Sequence, residues 1–134
     1  MNYWLLKSEP FKYSWEDFVY DGRTYWDGVR NYQARNNLKA MKKGDKALFY
    51  HSNKGLEVVG VAEVVREYYQ DPTTEDERWV VVDVKPLKKL KNPVALYDIK
   101  KEPVLRDIPL IKQGRLSVMP LSKIQYEKII SMSR

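Results

Sequence analysis

The sequence predicts a single α+β domain, residues 1–134, built on a curved, mostly antiparallel sheet or small barrel. The chain has 134 residues, of which 43% are hydrophobic, and this is enough for one core. Five or six strand-like and three or four helix-like segments follow one another without regular alternation. That order argues against a doubly wound parallel sheet. No repeat, low-complexity tract or linker divides the chain.

The first strand is predicted over residues 2–8, because NYWLLKS is rich in aromatic and branched apolar side chains. Pro10 ends this strand. The two-residue period of a strand places Lys7 and Glu9 on one face and Ser8 on the other. Three polar side chains therefore stand at the end of an otherwise apolar strand.

Two helices are predicted to follow. The first begins at Ser14, which can cap it, and Asp17 stands where a side chain reaches back to the cap. This helix ends near Gly22. The second helix spans residues 31–41, because its apolar residues recur at helical spacing. They are Ala34, Leu38 and Met41.

The middle of the chain predicts three strands. Two cover residues 46–52 and 55–69, joined by a turn at residues 53–55 whose Asn and Gly tolerate positive φ. A polar loop over residues 71–78 then leads to a strand over residues 79–87.

The C-terminal third predicts short elements. Three prolines interrupt residues 92–110, so this segment is expected to hold at most one short helix, near residues 94–100. Residues 115–121 predict a last short strand. A closing helix is predicted to run to Met132, because Ser122 and Gln125 form a capping-box pair at its start.

Composition excludes several classes of function. The chain has no cysteine, which removes disulfides, thiol nucleophiles and thiolate zinc sites and fits a reducing compartment. Its one histidine, His51, is weak support for a metal site. No apolar run approaches the roughly 18 residues of a membrane span, and the N-terminus does not resemble a signal peptide. We expect a cytoplasmic protein without a metal or cofactor.

The charge distribution is uneven along the chain. The net charge is +6, yet residues 54–84 are acidic, whereas the segments before and after them are basic. If the basic segments meet in space, they form a face suited to polyanions, and the acidic segment is expected to face away from nucleic acid. The alternative is a solvated surface with local bias.

The segment WDGVRNYQARNN, residues 26–37, concentrates aromatic, amide and guanidinium groups. A flat nucleobase needs an aromatic face to stack on and polar groups that match its edge. Trp26 can provide the face, Asn31, Ser8 and Glu9 the edge contacts, and Arg30 and Arg35 the phosphate contacts. Alternatively, Trp26 is a core aromatic and Asn31 caps the following helix.

Lys7 and Glu9 also allow an enzymatic interpretation. A lysine and a carboxylate on one strand face could serve as a base and its partner in a small hydrolase. Such a pair is more often a salt bridge, or a pair that orients a ligand. No nucleotide-binding glycine loop, zinc-protease motif or serine-hydrolase motif occurs.

Seven segments together resemble the EVE domain family: YWLLKSEP, YSWEDF, WDGVRNYQARNNLKAMKKGDKALFYHSN, GVAEVVREYYQDPT, WVVVDV, PVALYDIK and RLSVMPLS. The resemblance covers nearly the whole chain, and its central block is long and specific. It implies a PUA-like fold, a curved antiparallel sheet that closes toward a barrel with helices around it. It also implies kinship with YTH domains, which bind methylated adenine in RNA in an aromatic cage.

The family resemblance further implies recognition of a modified base, notably methylated or hydroxymethylated cytosine in DNA. Carried over residue by residue, it frames the pocket with Lys7, Ser8, Glu9, Trp26, Val29, Arg30 and Asn31. Tyr32, Ala34 and Arg35 lie along the bordering helix, and Tyr50, His51, Ser52, Leu116, Ser117 and Val118 line the far side.

We therefore expect a non-enzymatic module that binds nucleic acid and holds a flipped, modified base in an aromatic pocket. The alternatives are an RNA-binding PUA-like module and a small hydrolase of a modified nucleoside that uses Lys7 and Glu9. The expected partner is DNA with a modified base, or RNA. The sequence predicts no association with a membrane and does not identify a partner protein.

Overall fold

A computed structural model describes residues 1–134, which form six strands and five helices. The strands are β1 (Tyr3–Ser8), β2 (Thr24–Tyr25), β3 (Lys46–His51), β4 (Glu57–Gln70), β5 (Val80–Ala95) and β6 (Val118–Leu121). The helices are α1 (Trp15–Asp21), α2 (Tyr32–Ala40), α3 (Leu96–Ile99), α4 (Pro109–Lys112) and α5 (Lys123–Met132), with a 3-10 turn at Pro103–Leu105. None of the helices is long and apolar enough to cross a membrane.

The strands form one sheet in the order β2-β5-β4-β3-β1-β6. β1 and β3 are parallel, and every other neighbouring pair is antiparallel. Register shifts interrupt the β3–β4 and β4–β5 pairings, and such bulges bend and twist a sheet. The predicted α+β class with a curved, mostly antiparallel sheet is confirmed. The sheet stays open, because β2 and β6 are its two edges and do not pair with each other.

An aromatic cluster lies at the centre of the core. Phe18 of α1 stacks on Phe49 of β3, with ring centroids 5.3 Å apart. Trp15 and Trp26 pack edge-to-face against Phe49, at 5.4 and 5.6 Å. The edge of one ring carries partial positive charge and the face of another partial negative charge, so this geometry adds to the gain from burial. The cluster anchors α1 and the segment after β2 to the sheet.

The predicted helix starts are confirmed. Ser14 and Asp17 form a reciprocal capping box at α1, and Ser122 and Gln125 form another at α5. At α2, the side chain of Asn31 accepts a hydrogen bond from the backbone N–H three residues later. Each cap supplies a partner to a backbone donor that the first helical turn leaves free.

The proline-rich segment differs from its prediction in two ways. β5 continues to Ala95, past the predicted end at residue 87. The register of β4 and β5 shifts between Lys89 and Val94, so Pro93 falls in a bulge, where a proline is tolerated. The short helix expected near residues 94–100 forms as α3, but the expectation of at most one is wrong, since the 3-10 turn and α4 form as well. Pro103 and Pro109 begin the last two elements, because proline suits the first helical position.

Candidate functional site

A pocket of about 420 Å³ lies between the end of β1 and the segment that follows β2. These two strands are not neighbours in the sheet, since β5, β4 and β3 stand between them. The curvature of the sheet therefore brings the two strand ends together across its concave side. The lining residues are Lys7, Ser8, Glu9, Lys12, Tyr13, Thr24, Tyr25, Trp26, Asp27 and Gly28.

A tight turn after β1 forms one wall of the pocket. The carbonyl of Glu9 accepts hydrogen bonds from the backbone N–H groups of Lys12 and Tyr13, both at 2.9 Å. The buried Ser8 hydroxyl donates to the carbonyl of Tyr13 at 2.5 Å. The carboxylate of Glu9 pairs with the Lys12 amine at 3.2 Å and accepts a hydrogen bond from the Asn53 amide. This wall is polar and internally bonded.

Three aromatic side chains, Tyr13, Tyr25 and Trp26, line the pocket. Trp26 is 8% exposed and Tyr25 is 42% exposed. The backbone N–H of Trp26 donates to the carbonyl of Val82 at 2.8 Å, which continues the pairing of β2 with β5. The indole therefore belongs to the core and also borders a void, and its role as the face for a base stays a prediction.

Tyr13 is held in place by its hydroxyl group, which donates to the Asp21 carboxylate at 2.8 Å. Burial and this acceptor raise the pKa of the Tyr13 phenol far above its ordinary value. The phenol therefore stays protonated at any physiological pH. The ring also packs edge-to-face against Trp26, at 6.2 Å, so two of the three pocket aromatics support each other.

Lys7 joins the pocket to the segment before β6. Its amine donates to the carbonyl of Gly114 at 2.7 Å, and its backbone N–H donates to the carbonyl of Ser117 at 2.9 Å. Burial lowers the pKa of the Lys7 amine, because a charge is disfavoured away from water. Lys7 and Glu9 form no ion pair with each other, and each binds another group.

The segment after β2 forms the second wall of the pocket, and a buried carboxylate stands behind it. The Asp71 side chain is 0% exposed and binds the Arg30 guanidinium at 3.0 Å and the Gly28 backbone N–H at 3.3 Å. Burial opposes the charge of Asp71, but hydrogen bonds from Thr73, Arg30 and Gly28 outweigh it and hold its pKa below the ordinary value. Asp71 thus departs from the expectation that the acidic segment lies away from the site.

The N-terminal end of α2 lies beside the pocket and does not line it. The side chain of Asn31 caps the helix, accepting from the Ala34 N–H at 2.9 Å. Tyr32 is half exposed and packs against Trp79, with ring centroids 5.3 Å apart. The Arg35 guanidinium lies 5.0 Å from the centroid of Tyr32. Arg30 is occupied by Asp71, so the predicted phosphate contacts of the two arginines stay predictions.

Eight further predicted residues stand behind the pocket or beside it. Val29, Ala34, Tyr50, Leu116 and Val118 belong to the buried core cluster. Three others make hydrogen bonds to pocket-forming segments. His51 accepts from the Trp15 N–H at 3.1 Å, the Ser52 N–H donates to the Ser8 carbonyl at 2.9 Å, and Ser117 accepts from Lys7. Their part in binding a base stays a prediction.

Six lining residues were not singled out from the sequence: Lys12, Tyr13, Thr24, Tyr25, Asp27 and Gly28. Asp27 and Gly28 lie in the segment that drew attention to Trp26, so proximity in sequence was the available signal. Tyr25 directly precedes Trp26 and shared this signal, although β2 has only two residues and shows no alternation. Tyr13 lies in the turn between β1 and α1 and gave no signal of its own.

The EVE domain matches residues 2–132 of the chain. Mouse thymocyte nuclear protein 1 is 36% identical over 98% of this chain and 73% of the mouse protein. A crystal structure of an Agrobacterium tumefaciens protein superposes with a TM-score of 0.97 at 47% identity, covering 99% of this chain and 93% of that one. A crystal structure of human THYN1 protein in complex with 5-methylcytosine-containing DNA superposes with a TM-score of 0.92 at 32% identity, covering 100% and 98%.

The fold also resembles a more distant domain. The YTH domain of Zygosaccharomyces rouxii MRB1 protein, solved in complex with N6-methyladenosine RNA, superposes with a TM-score of 0.63 at 16% identity. The match covers 99% of this chain and 86% of the YTH chain. At this identity the likeness concerns the fold alone, and it agrees with a PUA-like architecture.

Proposed function

The chain belongs to the EVE domain family, and on that premise we propose that it binds nucleic acid and holds a modified base in the aromatic pocket. The proposed base is methylated or hydroxymethylated cytosine in DNA. One observation carries the proposal: a pocket bordered by Tyr13, Tyr25 and Trp26 stands opposite the polar end of β1. The human relative solved with 5-methylcytosine-containing DNA, which this chain matches over its whole length, supports the same ligand.

The aromatic side of the pocket suits a planar ring. Stacking of a base on an aromatic side chain contributes about 1–3 kcal/mol. Tyr25 offers the most exposed ring surface of the three, and Trp26 and Tyr13 are fixed by the core and by Asp21. Fixed rings lose little conformational entropy on binding, so more of the contact energy appears as affinity.

The polar side of the pocket suits the edge of a base. Ser8 and Thr24 carry hydroxyl groups, and Glu9 and Asp27 carry carboxylates that can accept from an exocyclic amine. Carboxylate acceptance from the cytosine amine is a recognised form of base contact. A buried methyl group adds about 0.8 kcal/mol, so sharp discrimination between bases depends on these polar contacts.

The geometry supports binding more than catalysis. The hydrolase alternative needs Lys7 and Glu9 to act as a pair, yet Lys7 binds Gly114 and Glu9 binds Lys12 and Asn53. We therefore propose a module without enzymatic activity. The cytoplasmic location expected from the sequence stays a prediction.

A titration with three oligonucleotides tests the proposal. Labelled single strands carrying one cytosine, 5-methylcytosine or 5-hydroxymethylcytosine are compared at one fixed salt concentration, because phosphate contacts make affinity salt-dependent. We expect about fourfold or stronger preference for a modified base, as a buried methyl group implies. An RNA strand of the same sequence that binds more tightly than the DNA would assign the site to RNA instead.

Tyr25→Ala is the variant for this titration, because its ring is partly exposed and its loss spares the core. We expect it to weaken binding of the modified strand about tenfold, through lost stacking. Tyr20→Ala is the matched control, since Tyr20 is 91% exposed on α1 and does not line the pocket. Equal affinity for all three strands, unchanged by Tyr25→Ala, would reject the proposed function.

A further inference from the structure

An exposed phenyl ring stands in the turn that forms one wall of the pocket. Phe11 is 79% exposed and lies in the turn after β1, between Pro10 and Lys12. The same turn supplies Glu9, Lys12 and Tyr13 to the pocket lining. Single exposed apolar side chains are common on protein surfaces, so exposure alone decides nothing. What distinguishes Phe11 is its place beside the pocket and the way its backbone and its ring are held.

The turn that carries Phe11 is fixed on both sides. The Glu9 carbonyl accepts from two backbone N–H groups, which closes the turn around Phe11. The Glu9 carboxylate also accepts from the Asn53 amide, which ties this turn to the turn between β3 and β4. Asn53 has a φ of 65°, in the left-handed region, so the second turn is tightly bent as well. The backbone that carries the Phe11 ring is therefore held in one conformation before a partner binds.

A lysine amine lies against the Phe11 ring. The Lys54 amine lies 4.9 Å from the centroid of Phe11, within the range of a cation–π contact. Lys12 follows Phe11 in the chain, and its side chain is largely exposed while it pairs with Glu9. An apolar ring with one lysine amine against it and a second lysine next in the chain fits a partner that places apolar groups beside anionic ones. Stacked bases bordered by phosphates have that pattern.

We propose that the Phe11 ring enters the stack of a DNA duplex and fills the gap left by the base bound in the pocket, while Lys54 contacts the adjacent phosphate. This inference rests on the proposed function, because it needs a base in the pocket. Extracting a base from a duplex costs a few kcal/mol, which the protein must offset. Apolar side chains inserted between base steps are an established means of holding a distorted duplex.

Comparison of duplex with single strand tests the role of Phe11. A single strand has no stack to hold open, so the ring should matter only in a duplex. We expect Phe11→Ala to weaken binding of a 5-methylcytosine duplex about tenfold and to leave the modified single strand within about twofold, since the extraction cost is confined to the duplex. Phe11→Leu should keep most of the duplex affinity, because leucine also serves as a wedge. Tyr20→Ala is the exposed aromatic control.

A fluorescent base gives a second readout. With 2-aminopurine beside the modified cytosine, wild type should raise its fluorescence in the duplex as the stack opens, and Phe11→Ala should reduce that rise at saturating protein. Lys54→Ala should weaken modified and plain duplexes alike and reduce the salt slope by about one.

The outcomes separate the two proposals. If wild type prefers the modified strand but Phe11→Ala leaves the duplex unaffected, or weakens duplex and single strand equally, the wedge is wrong and the pocket stands. If wild type shows no preference for the modified base in either form, the proposed function fails, and the wedge fails with it.

Discussion

Trp26 belongs to the core and to the pocket at once. Its ring packs against Phe49, Phe18 and Tyr13, and only 8% of the residue is exposed. Replacing such a residue with alanine costs about 3–5 kcal/mol of stability. Loss of binding in Trp26→Ala would therefore combine lost contact with lost folding, which is why Tyr25 is the sharper probe.

The charge of Asp71 likewise supports the structure of the pocket wall. Its buried carboxylate joins the loop after β4 to Gly28 and Arg30 at the pocket wall. A buried charge without partners is costly, so Arg30 contributes first to holding this wall. Its guanidinium also lies 5.6 Å from the centroid of Trp79, which confines it further. Arg30 is therefore first a structural cation that pairs with Asp71, and its guanidinium is not free to bind phosphate alone.

His51 gives a pH-dependent prediction at the same scale. Its Nε2 atom accepts from the Trp15 N–H at the start of α1, which only a neutral ring can do. Burial lowers its pKa below the ordinary 6.5, so the folded state binds this proton less readily than the unfolded state. The contribution of His51 to stability is therefore complete above pH 6.5 and is lost as the pH falls through the lowered pKa.

Urea unfolding between about pH 5 and pH 8 measures this effect. We expect the free energy of unfolding to decrease on acidification, and His51→Gln to remove much of that decrease while keeping an acceptor in reach. Since the chain has one histidine, its NMR titration is free of overlap. A His51 pKa at or above the ordinary value would contradict the contact with α1.

At the scale of elements, α1 and β4 meet at a glycine. A Cβ atom added to Gly60 would lie 2.4 Å from the Trp15 ring. We expect Gly60→Ala to destabilise the fold by about 1–3 kcal/mol, as overpacking does. Gly114→Ala is the matched control, because nothing lies within 4 Å of its added Cβ. Equal thermal unfolding midpoints for both variants would show that the Trp15 ring does not lie over β4 as described.

The elements that the sequence predicted well are those encoded locally. Each helix cap depends on two residues three positions apart, so it can be predicted from the sequence without knowledge of the fold. These caps are the capping boxes at Ser14 and Ser122 and the cap at Asn31. The strands over residues 46–52 and 55–69 were predicted within about two residues of β3 and β4, a usual uncertainty for element ends. The apolar runs of these two strands were sufficient to predict them.

Features that depend on tertiary context were missed. β2 has two residues and exists because β5 supplies its hydrogen-bond partners. The end of β5 runs through Pro93 because the pairing of β4 with β5 shifts register between Lys89 and Val94, and a bulge tolerates a residue without an N–H group. Tyr13 and Tyr25 reach the pocket through the curvature of the sheet. The site was predictable where residues share a short segment, at Lys7 to Glu9 and at Trp26.

For the whole molecule, the open, curved sheet is what creates the pocket. Edge strand β2 and the inner strand β1 approach without pairing, and the aromatic cluster around Phe49 fills the space below them. The approach of these two strand ends therefore gives this small domain a concave site.

The basic segments of the chain meet beside this site. Lys7 from the first segment binds Gly114 from the third, and Arg115 follows on the exposed surface. The pocket lining itself is balanced, with Lys7 and Lys12 against Glu9 and Asp27. On the proposed function, we expect attraction for phosphate to come from cations around the pocket and selection of the base to come from inside it.

A crystal structure of the chain bound to a short strand containing 5-methylcytosine tests the central claim most directly. We expect the methylated ring in the pocket against Tyr25 and Trp26, with its edge within hydrogen-bond distance of Ser8 or Glu9. A strand bound with its methylated base outside this pocket, stacked on its neighbours or on another surface, would contradict it.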